Sequence, residues 1–300
     1  MGKSIDWKSY NRNLINRGQI TFWFSPDVLG AWLAPASHKR GAQEFYSDAA
    51  IEMLSIIRFR YGLTLRSTQG FAESIMELMS VEVPIPDYTT LCRRLPKLSI
   101  SLKGKISKGV VHVVIDSTGL KVFGEGEWKV RQHGYSKRRD WMKLHLAVDS
   151  GNNQIISAAL STNSFKDNQL FDDLIDEIPG HIDQVSADGA YDSKGCYDKA
   201  RKRGFKAVIP PRKGAKIGQH GNCKAPREQR DEHIREINRY GRKKWKSNNK
   251  YHQRSLSETA MYRFKKMLGD KLSSREFHRQ ANEVFIKCQV LNKMSTPKAA

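Results

Sequence analysis

Three acidic residues are placed where their side chains could form a catalytic metal site. Asp116 follows the apolar run 110–115, Asp188 follows the run 182–187, and Glu258 belongs to a later helical segment. Two carboxylates at strand ends and a third on a helix can meet in space although they are far apart in the chain. Such oxygen ligands suit two divalent cations that break and join phosphodiesters. We therefore predict that Asp116, Asp188 and Glu258 are catalytic metal ligands.

Further polar residues recur around Glu258 with helical spacing. At about 100° per residue, Tyr251, Arg254 and Lys265 fall within roughly 40° of Glu258 on one helix face. The cations Arg254 and Lys265 would then hold phosphates on either side of the ligand. In the alternative, Ser255 and Glu258 form a capping box, and Glu258 only satisfies a backbone donor at a helix start.

A single acid at the end of a strand is usually structural, and Asp149 is such a case. It also follows an apolar strand, but Ser150, Gly151 and Asn152 mark it as a turn former. Asp116 and Asp188 differ because small residues follow them, which would let a metal and a phosphate approach the backbone. The combination of three acids, and no single one of them, favours the metal site.

The elements that must position these acids form a mixed α/β sheet. The first three strands would pair antiparallel, and two later strands would be separated by helices. The predicted strands are 110–115, 144–148, 154–160, 182–188 and 205–209, and the predicted helices between them are 167–175 and 193–203.

The residues before about position 95 have helical periodicity and are similar to a helix-turn-helix module. Asp87 can cap a short second helix that Pro96 ends. If this helix faces DNA, its contacts are Tyr88, Thr89, Thr90, Arg93 and Arg94. The alternative is a helical bundle with a solvated basic face, because 80–86 is longer than the usual turn of three or four residues.

These patterns predict two domains. Residues 1–96 would form a helical DNA-binding domain, and 97–109, rich in Lys, Ser and Gly, would be a linker. Residues 110–300 would form the catalytic domain. Within it, 210–250 is predicted to be an irregular basic insertion, and 273–292 a C-terminal helix that begins with a capping box.

The composition indicates a partner with many negative charges. The chain has 300 residues with 52 Lys and Arg against 31 Asp and Glu, a formal net charge of +21. Double-stranded DNA is the expected partner. The mean hydropathy of −0.61 and the lack of a long apolar stretch predict no membrane association. The start of the sequence has no apolar signal, so we expect a cytoplasmic, nucleoid-associated protein. The four cysteines are too scattered for a disulfide framework or a zinc site.

Several short basic stretches are candidates for contacts with the DNA backbone. Tryptophans lie beside them and could stack on an unpaired base, although a basic run with one aromatic is more often a solvated face. The cations are Lys129, Arg131, Lys137, Arg138, Arg139, Arg212, Lys213, Arg242, Lys243, Lys244 and Lys246, and the tryptophans are Trp128, Trp141 and Trp245.

Taken together, these motifs resemble the bacterial insertion-sequence transposases of the DDE class, in the branch with the Y-R-E-K signature. The segments that match are 114–119 around Asp116 and 187–192 around Asp188. Tyr251, Arg254, Glu258 and Lys265 match the signature itself, and 86–94 is similar to the family's N-terminal DNA-binding segment.

The resemblance implies an RNase H-like core in which the first and fourth strands lie side by side. It also implies that the protein binds the terminal inverted repeats of its own element, as a homo-oligomer, and inserts them into target DNA. We hypothesise that Asp116, Asp188 and Glu258 hold two Mg²⁺ ions, for which Mn²⁺ can substitute.

Two other functions are compatible with the same residues. A structure-specific nuclease with an RNase H-like core would cut DNA without joining it. A DNA-binding repressor with a vestigial metal site would bind DNA without Mg²⁺ and leave it intact.

Overall fold

The fold is described by a computed structural model, which covers residues 6–16, 18, 24–36, 40–102, 106, 111–122, 141–219 and 227–295. The chain divides into two compact units. One unit comprises Met1–Ile100 together with Glu276–Ala300, and the other comprises Ser101–Arg275.

The described residues contain the following strands and helices. The strands are β1 (His112–Lys121), β2 (Trp141–Asp149), β3 (Ile155–Thr162), β4 (Gln184–Ser186) and β5 (Lys206–Val208). The helices are α1 (Trp7–Asn16), α2 (Pro26–Gly30), α3 (Asp48–Tyr61), α4 (Leu65–Leu78), α5 (Tyr88–Arg94), α6 (Phe171–Asp176), α7 (Lys194–Arg203), α8 (Gln229–Asn248), α9 (Ser255–Leu268) and α10 (Phe277–Ser295).

The five strands form one mixed sheet with the order β3-β2-β1-β4-β5. β1, β2 and β3 pair antiparallel, whereas β4 and β5 run parallel to β1. The prediction of a mixed five-stranded α/β sheet is therefore confirmed, and the first and fourth strands are neighbours as the resemblance implies. An apolar cluster from β1, β4, α6 and α7 fills one face of the sheet.

β2 is buried on both faces although its sequence alternates in polarity. His145 and Ala147 alternate with the apolar residues, yet both are fully buried. β2 lies between β1 and β3, and both faces of the sheet are covered at this strand, so its polar residues are buried as well. His145 bonds through Nε2 to Ser161 Oγ at 2.9 Å, whereas its Nδ1 has no partner among the described residues.

The segment predicted to be an irregular insertion is partly a helix. Residues 229–248 form α8, which bends at Gly241, where φ is +79°. Ile234 and Trp245 are buried, whereas most side chains of α8 are polar and charged. Because α8 has few apolar residues, its sequence shows no apolar stripe, and the bend at Gly241 interrupts the helical periodicity.

The helical unit is built around α3, which is buried over most of its length. α5 begins at the predicted cap, since the Asp87 side chain accepts from the amides of Thr89 and Thr90. Nine residues, 79–87, connect α4 to α5, so the helix-turn-helix assignment remains a prediction. Among the described helices, none is long and apolar enough to cross a membrane.

The C-terminal helix belongs to the helical unit and not to the unit that contains the sheet, which differs from the predicted domain boundary. Lys293 of α10 pairs with Glu52 of α3 at 3.0 Å, and the ammonium of Lys287 lies over the Phe59 ring. The apolar stripe in the sequence of α10 predicts that this helix packs against another surface, but it does not identify that surface.

Candidate active site

Asp116 and Asp188 lie at the same end of two neighbouring parallel strands. The last paired residues of β1 and β4 are Val114 and Ser186. Each aspartate follows two residues later, so both side chains project from the same region of the sheet. Contrary to the prediction, Asp116 does not end its strand: β1 continues along β2 to Lys121.

Arg254 bridges two of the predicted ligands, Asp116 and Glu258. Its Nη1 donates to Asp116 Oδ2 at 2.8 Å, and its Nη2 donates to Glu258 Oε1. One guanidinium group therefore lies between two of the three predicted acids, although these are 142 residues apart in the sequence, from 116 to 258. The helix α9 thus delivers Glu258 to the strand that carries Asp116.

The local structure before Glu258 excludes the capping-box alternative. Ser255 Oγ donates to the carbonyl of His252 at 3.0 Å, and α9 has no side-chain cap. Tyr251–Arg254 forms a 3-10 turn that leads directly into α9. The predicted single α-helical face therefore holds only from Ser255 onwards, and Arg254 reaches the acids from a tighter turn.

The electrostatics of Asp116 reflect a crowded acidic site. Burial raises its pKa above the ordinary value, and Asp188 and Glu258 raise it further. The Ser117 amide, which donates to Oδ1 at 2.9 Å, and Arg254 oppose this rise. Because repulsion from two other carboxylates acts on Asp116, a positive charge between these groups is stabilising.

Tyr191 is a residue of the site to which the sequence analysis gave no role. It ends the 3-10 turn Gly189–Tyr191, which Asp188 caps by accepting from the amide of Ala190. Its fully buried ring packs on Phe171, and its hydroxyl has no hydrogen-bond partner within the described part of the chain. Burial raises its pKa, as do the nearby carboxylates of Asp167, Asp116 and Asp188. In the sequence, the position of Tyr191 only three residues after Asp188 could have indicated that it lies near the site.

Tyr251 and Lys265 have different environments. Tyr251 is only 9% exposed and packs against the Trp245 ring, with the ring centroids 5.5 Å apart. Contrary to the prediction, its side chain is therefore not available to contact DNA. Lys265 follows Glu258 by two helical turns of α9, on the same face, and is partly exposed. Trp245 is fully buried, so its ring neither stands ready to stack on a base nor belongs to a solvated face.

The predicted DNA contacts of the helical unit divide into two groups. Arg94 is buried and bonds to Asp48 at 2.6 Å and to the Tyr46 carbonyl at 2.9 Å, so the structure assigns it to packing. Arg93 is exposed and available for DNA. Tyr88 is exposed beside Arg66, and the hydroxyls of Thr89 and Thr90 donate to the Asp87 carboxylate. Arg131, Arg138 and Arg139, with Trp128, lie outside the described residues.

The donor set of Asp116, Asp188 and Glu258 fits a hard divalent cation, because carboxylate oxygens are the ligands that Mg²⁺ and Mn²⁺ prefer. The guanidinium between Asp116 and Glu258 shows that the site already accommodates positive charge. No three His, Cys, Asp or Glu side chains of the described residues form a ready-made metal cluster. Arg254 would have to move aside for the acids to hold an ion in common.

Comparison with known proteins gives the family. The family model described as a transposase DDE domain matches residues 108–293, which is more than half of the chain. The chain belongs to the DDE transposase family. A second transposase DDE model matches residues 15–125 of this DDE transposase. Members of the family cleave DNA, transfer strands and use divalent metal ions.

Solved structures similar to this DDE transposase are distant. The piggyBac transposase synaptic complex with hairpin DNA is 10% identical, with a TM-score of 0.42 over 94% of this chain and 73% of that chain. The Drosophila P element transposase strand transfer complex is 11% identical, with a TM-score of 0.31 over 68% and 47%. The Mos1 transposase paired-end complex is 11% identical, with a TM-score of 0.23 over 83% and 90%. Because these scores are below 0.5, the family assignment rests on the sequence model.

Proposed function

We propose that this DDE transposase belongs to the bacterial insertion-sequence branch with the Y-R-E-K signature. It binds the terminal inverted repeats of its element and catalyses cleavage at the element end, followed by strand transfer into target DNA. Asp116, Asp188 and Glu258 are the metal ligands, and the ions are two Mg²⁺, which Mn²⁺ can replace. The core is RNase H-like.

The observation that carries this proposal is the position of Arg254. Its guanidinium contacts both Asp116 and Glu258, and Asp116 in turn is in the field of Asp188. All three acids therefore belong to one electrostatic site. This coupling between acids on β1, after β4 and on α9 supports a shared role for them.

The roles of the residues follow from their charge and exposure. Divalent ions bound by carboxylates activate an attacking water or hydroxyl and neutralise the leaving oxygen of a phosphodiester. The three acids act as ligands and stay ionised. Arg254 and Lys265 bind the phosphates that flank the cut, because the guanidinium and ammonium groups pair strongly with phosphate oxygens. Arg254 can make this contact once it leaves Asp116 and Glu258.

The helical unit supplies recognition of the DNA ends in this proposal. Arg93 and Tyr88 are exposed on α5 and are its best candidates for DNA contacts. Thr89 and Thr90 can contribute if their hydroxyls turn from Asp87 to phosphate. Arg131, Arg138 and Arg139 are proposed contacts for the DNA backbone. The protein acts as a homo-oligomer that holds two element ends.

The test is a DNA cleavage assay with the full chain. End-labelled duplexes that carry the DNA flanking the coding sequence are incubated with Mg²⁺ or Mn²⁺ and a supercoiled target plasmid. We expect nicks at the element end and joined products in the plasmid. Asp116→Asn should abolish both while the affinity for the end duplex stays within about threefold of wild type, because only the ligand set changes.

The matched control is Asp176→Asn, which removes an acid of the same unit that pairs with Lys199 on the surface. It should cleave like wild type. Cleavage without joining would favour a nuclease, and metal-independent binding without any cleavage would favour a repressor. Retained cleavage by Asp116→Asn would refute the assignment of the site.

A further inference from the structure

A buried hydrogen-bond chain lies behind the turn that carries Arg254. His233 of α8 bonds through Nε2 to the carbonyl of Ala207 in β5 at 2.7 Å. Its other nitrogen, Nδ1, accepts from Trp245 Nε1 at 3.1 Å. The Trp245 ring in turn packs on Tyr251. Since Trp245 donates to Nδ1, His233 carries its proton on Nε2 and is neutral.

The bend at Gly241 makes this chain possible. His233 and Trp245 are twelve residues apart on α8 and would lie well apart along a straight helix. With φ of +79° at Gly241, the second part of α8 turns so that Trp245 reaches His233. His233 and Trp245 are almost wholly buried, and burial lowers the pKa of His233, so the imidazole stays uncharged.

The anchor of the chain is the edge of the sheet. β5 is the last strand, so the outward amide and carbonyl of Ala207 have no strand to pair with. Gln229 Oε1 accepts from the Ala207 amide at 2.7 Å, and His233 donates to the Ala207 carbonyl. α8 is therefore fixed to the same sheet that carries Asp116 and leads to Asp188.

We infer that His233 and Trp245 are positioning residues for the acidic site. They fix Tyr251, and Tyr251 fixes the 3-10 turn from which Arg254 reaches Asp116 and Glu258. The tyrosine of the signature thus acts as a packing anchor. This inference rests on the proposed function, since it assigns the two residues to the cleavage reaction. A displacement of about 1 Å in such a site can lower a rate by about 10²-fold.

The test compares two equivalent tryptophan substitutions. Trp245→Phe keeps an aromatic ring but removes the donor to His233. Trp32→Phe is the matched control, because Trp32 is 1% exposed and donates through Nε1 to the Pro84 carbonyl at 2.7 Å in the helical unit. Both changes leave a buried acceptor without its partner, so both should lower the melting temperature.

Single-turnover cleavage at saturating end duplex separates the two variants. We expect Trp245→Phe to cleave at least tenfold more slowly than wild type, with DNA affinity within threefold. Trp32→Phe should cleave bound DNA within twofold of wild type. Amide hydrogen exchange of the peptides spanning 251–258 should be faster in Trp245→Phe only.

The inference is overturned if Trp245→Phe keeps the wild-type rate and exchange, or if Trp32→Phe slows cleavage equally. If the wild-type protein does not cleave, the proposed function fails by itself. The exchange measurement needs no activity, so in that case unchanged exchange at 251–258 would still overturn the positioning role.

Discussion

Replacing Arg254 by glutamine should separate metal binding from catalysis. In the free protein the guanidinium lies between Asp116 and Glu258, with exposed side-chain fractions of 23% for Arg254 and 15% for Asp116. A cation that enters this site competes with the arginine for the same oxygens. Arg254→Gln removes the competing positive charge and leaves a shorter, neutral side chain that can still donate a hydrogen bond.

The size of the effect follows from the two contacts. Hydrogen bonds to charged groups contribute about 1.5–3 kcal/mol, and the partly buried Asp116 contact falls in this class. Glu258 is 55% exposed, so its contact adds little. Since 1.36 kcal/mol corresponds to a factor of ten, we expect Mn²⁺ to bind the variant about tenfold more tightly or better.

Mn²⁺ titration of the free protein, followed by electron paramagnetic resonance at pH 8, measures this affinity. Cleavage of the end duplex should fall in the same variant, because a phosphate contact is lost. The control is Arg235→Gln, whose arginine pairs with Glu232 at 2.8 Å and with none of the three acids. If Arg254→Gln binds Mn²⁺ no more tightly than wild type, the guanidinium does not compete with the cation and this reasoning is wrong.

Further predictions concern stability. Arg94→Gln should lower the free energy of unfolding of the helical unit by about 1–2 kcal/mol in urea, because it removes the bonds that the buried Arg94 guanidinium donates to the exposed Asp48 carboxylate and to a carbonyl. Arg93→Gln should weaken DNA binding only. Tyr191→Phe should leave the free energy of unfolding unchanged or raise it, because the hydroxyl that it removes has no partner among the described residues. A large decrease in this free energy would show that the hydroxyl does make a hydrogen bond. Burial lowers the pKa of His145 from 6.5 to about 4. Between pH 4 and pH 6.5 this imidazole is therefore protonated in the unfolded chain but neutral in the native protein. Stability should therefore fall as the pH drops below 6.5, by about 2 kcal/mol at pH 5, and His145→Gln should flatten this slope in urea titrations.

The strands, and the antiparallel pairing of the first three, were accessible from the sequence because apolar runs and turn residues are local signals, whereas the adjacency of β1 and β4 was implied only by the family resemblance. Asp149 is a good example: its side chain accepts from the Gly151 amide at 2.8 Å, as its turn-forming neighbours predicted. The extent of β1 was not accessible. Ser117, Thr118 and Gly119 are typical of a loop, and only pairing with β2 keeps them extended. Such pairing is a tertiary contact that a local pattern does not contain.

The site was predicted in its charges but not in its contacts. The spacing of Arg254 and Glu258 by four residues predicted their proximity, which the structure confirms. That Arg254 also contacts Asp116 depends on how α9 packs on the sheet. Tyr251 shows the limit most clearly, because an aromatic with a hydroxyl can face DNA or fill a core, and only the position of Trp245 decides between them.

The helical unit is discontinuous in the chain, and this affects the order in which the protein can be completed during synthesis. Its first five helices leave the ribosome early, but α10, which covers α3, follows the whole sheet-containing unit in the chain. The sheet-containing unit can therefore fold before the helical unit is whole. A newly made molecule acquires its full helical surface only after α10 has been synthesised, and the fragment 1–96 would expose apolar surface of α3 that α10 normally covers.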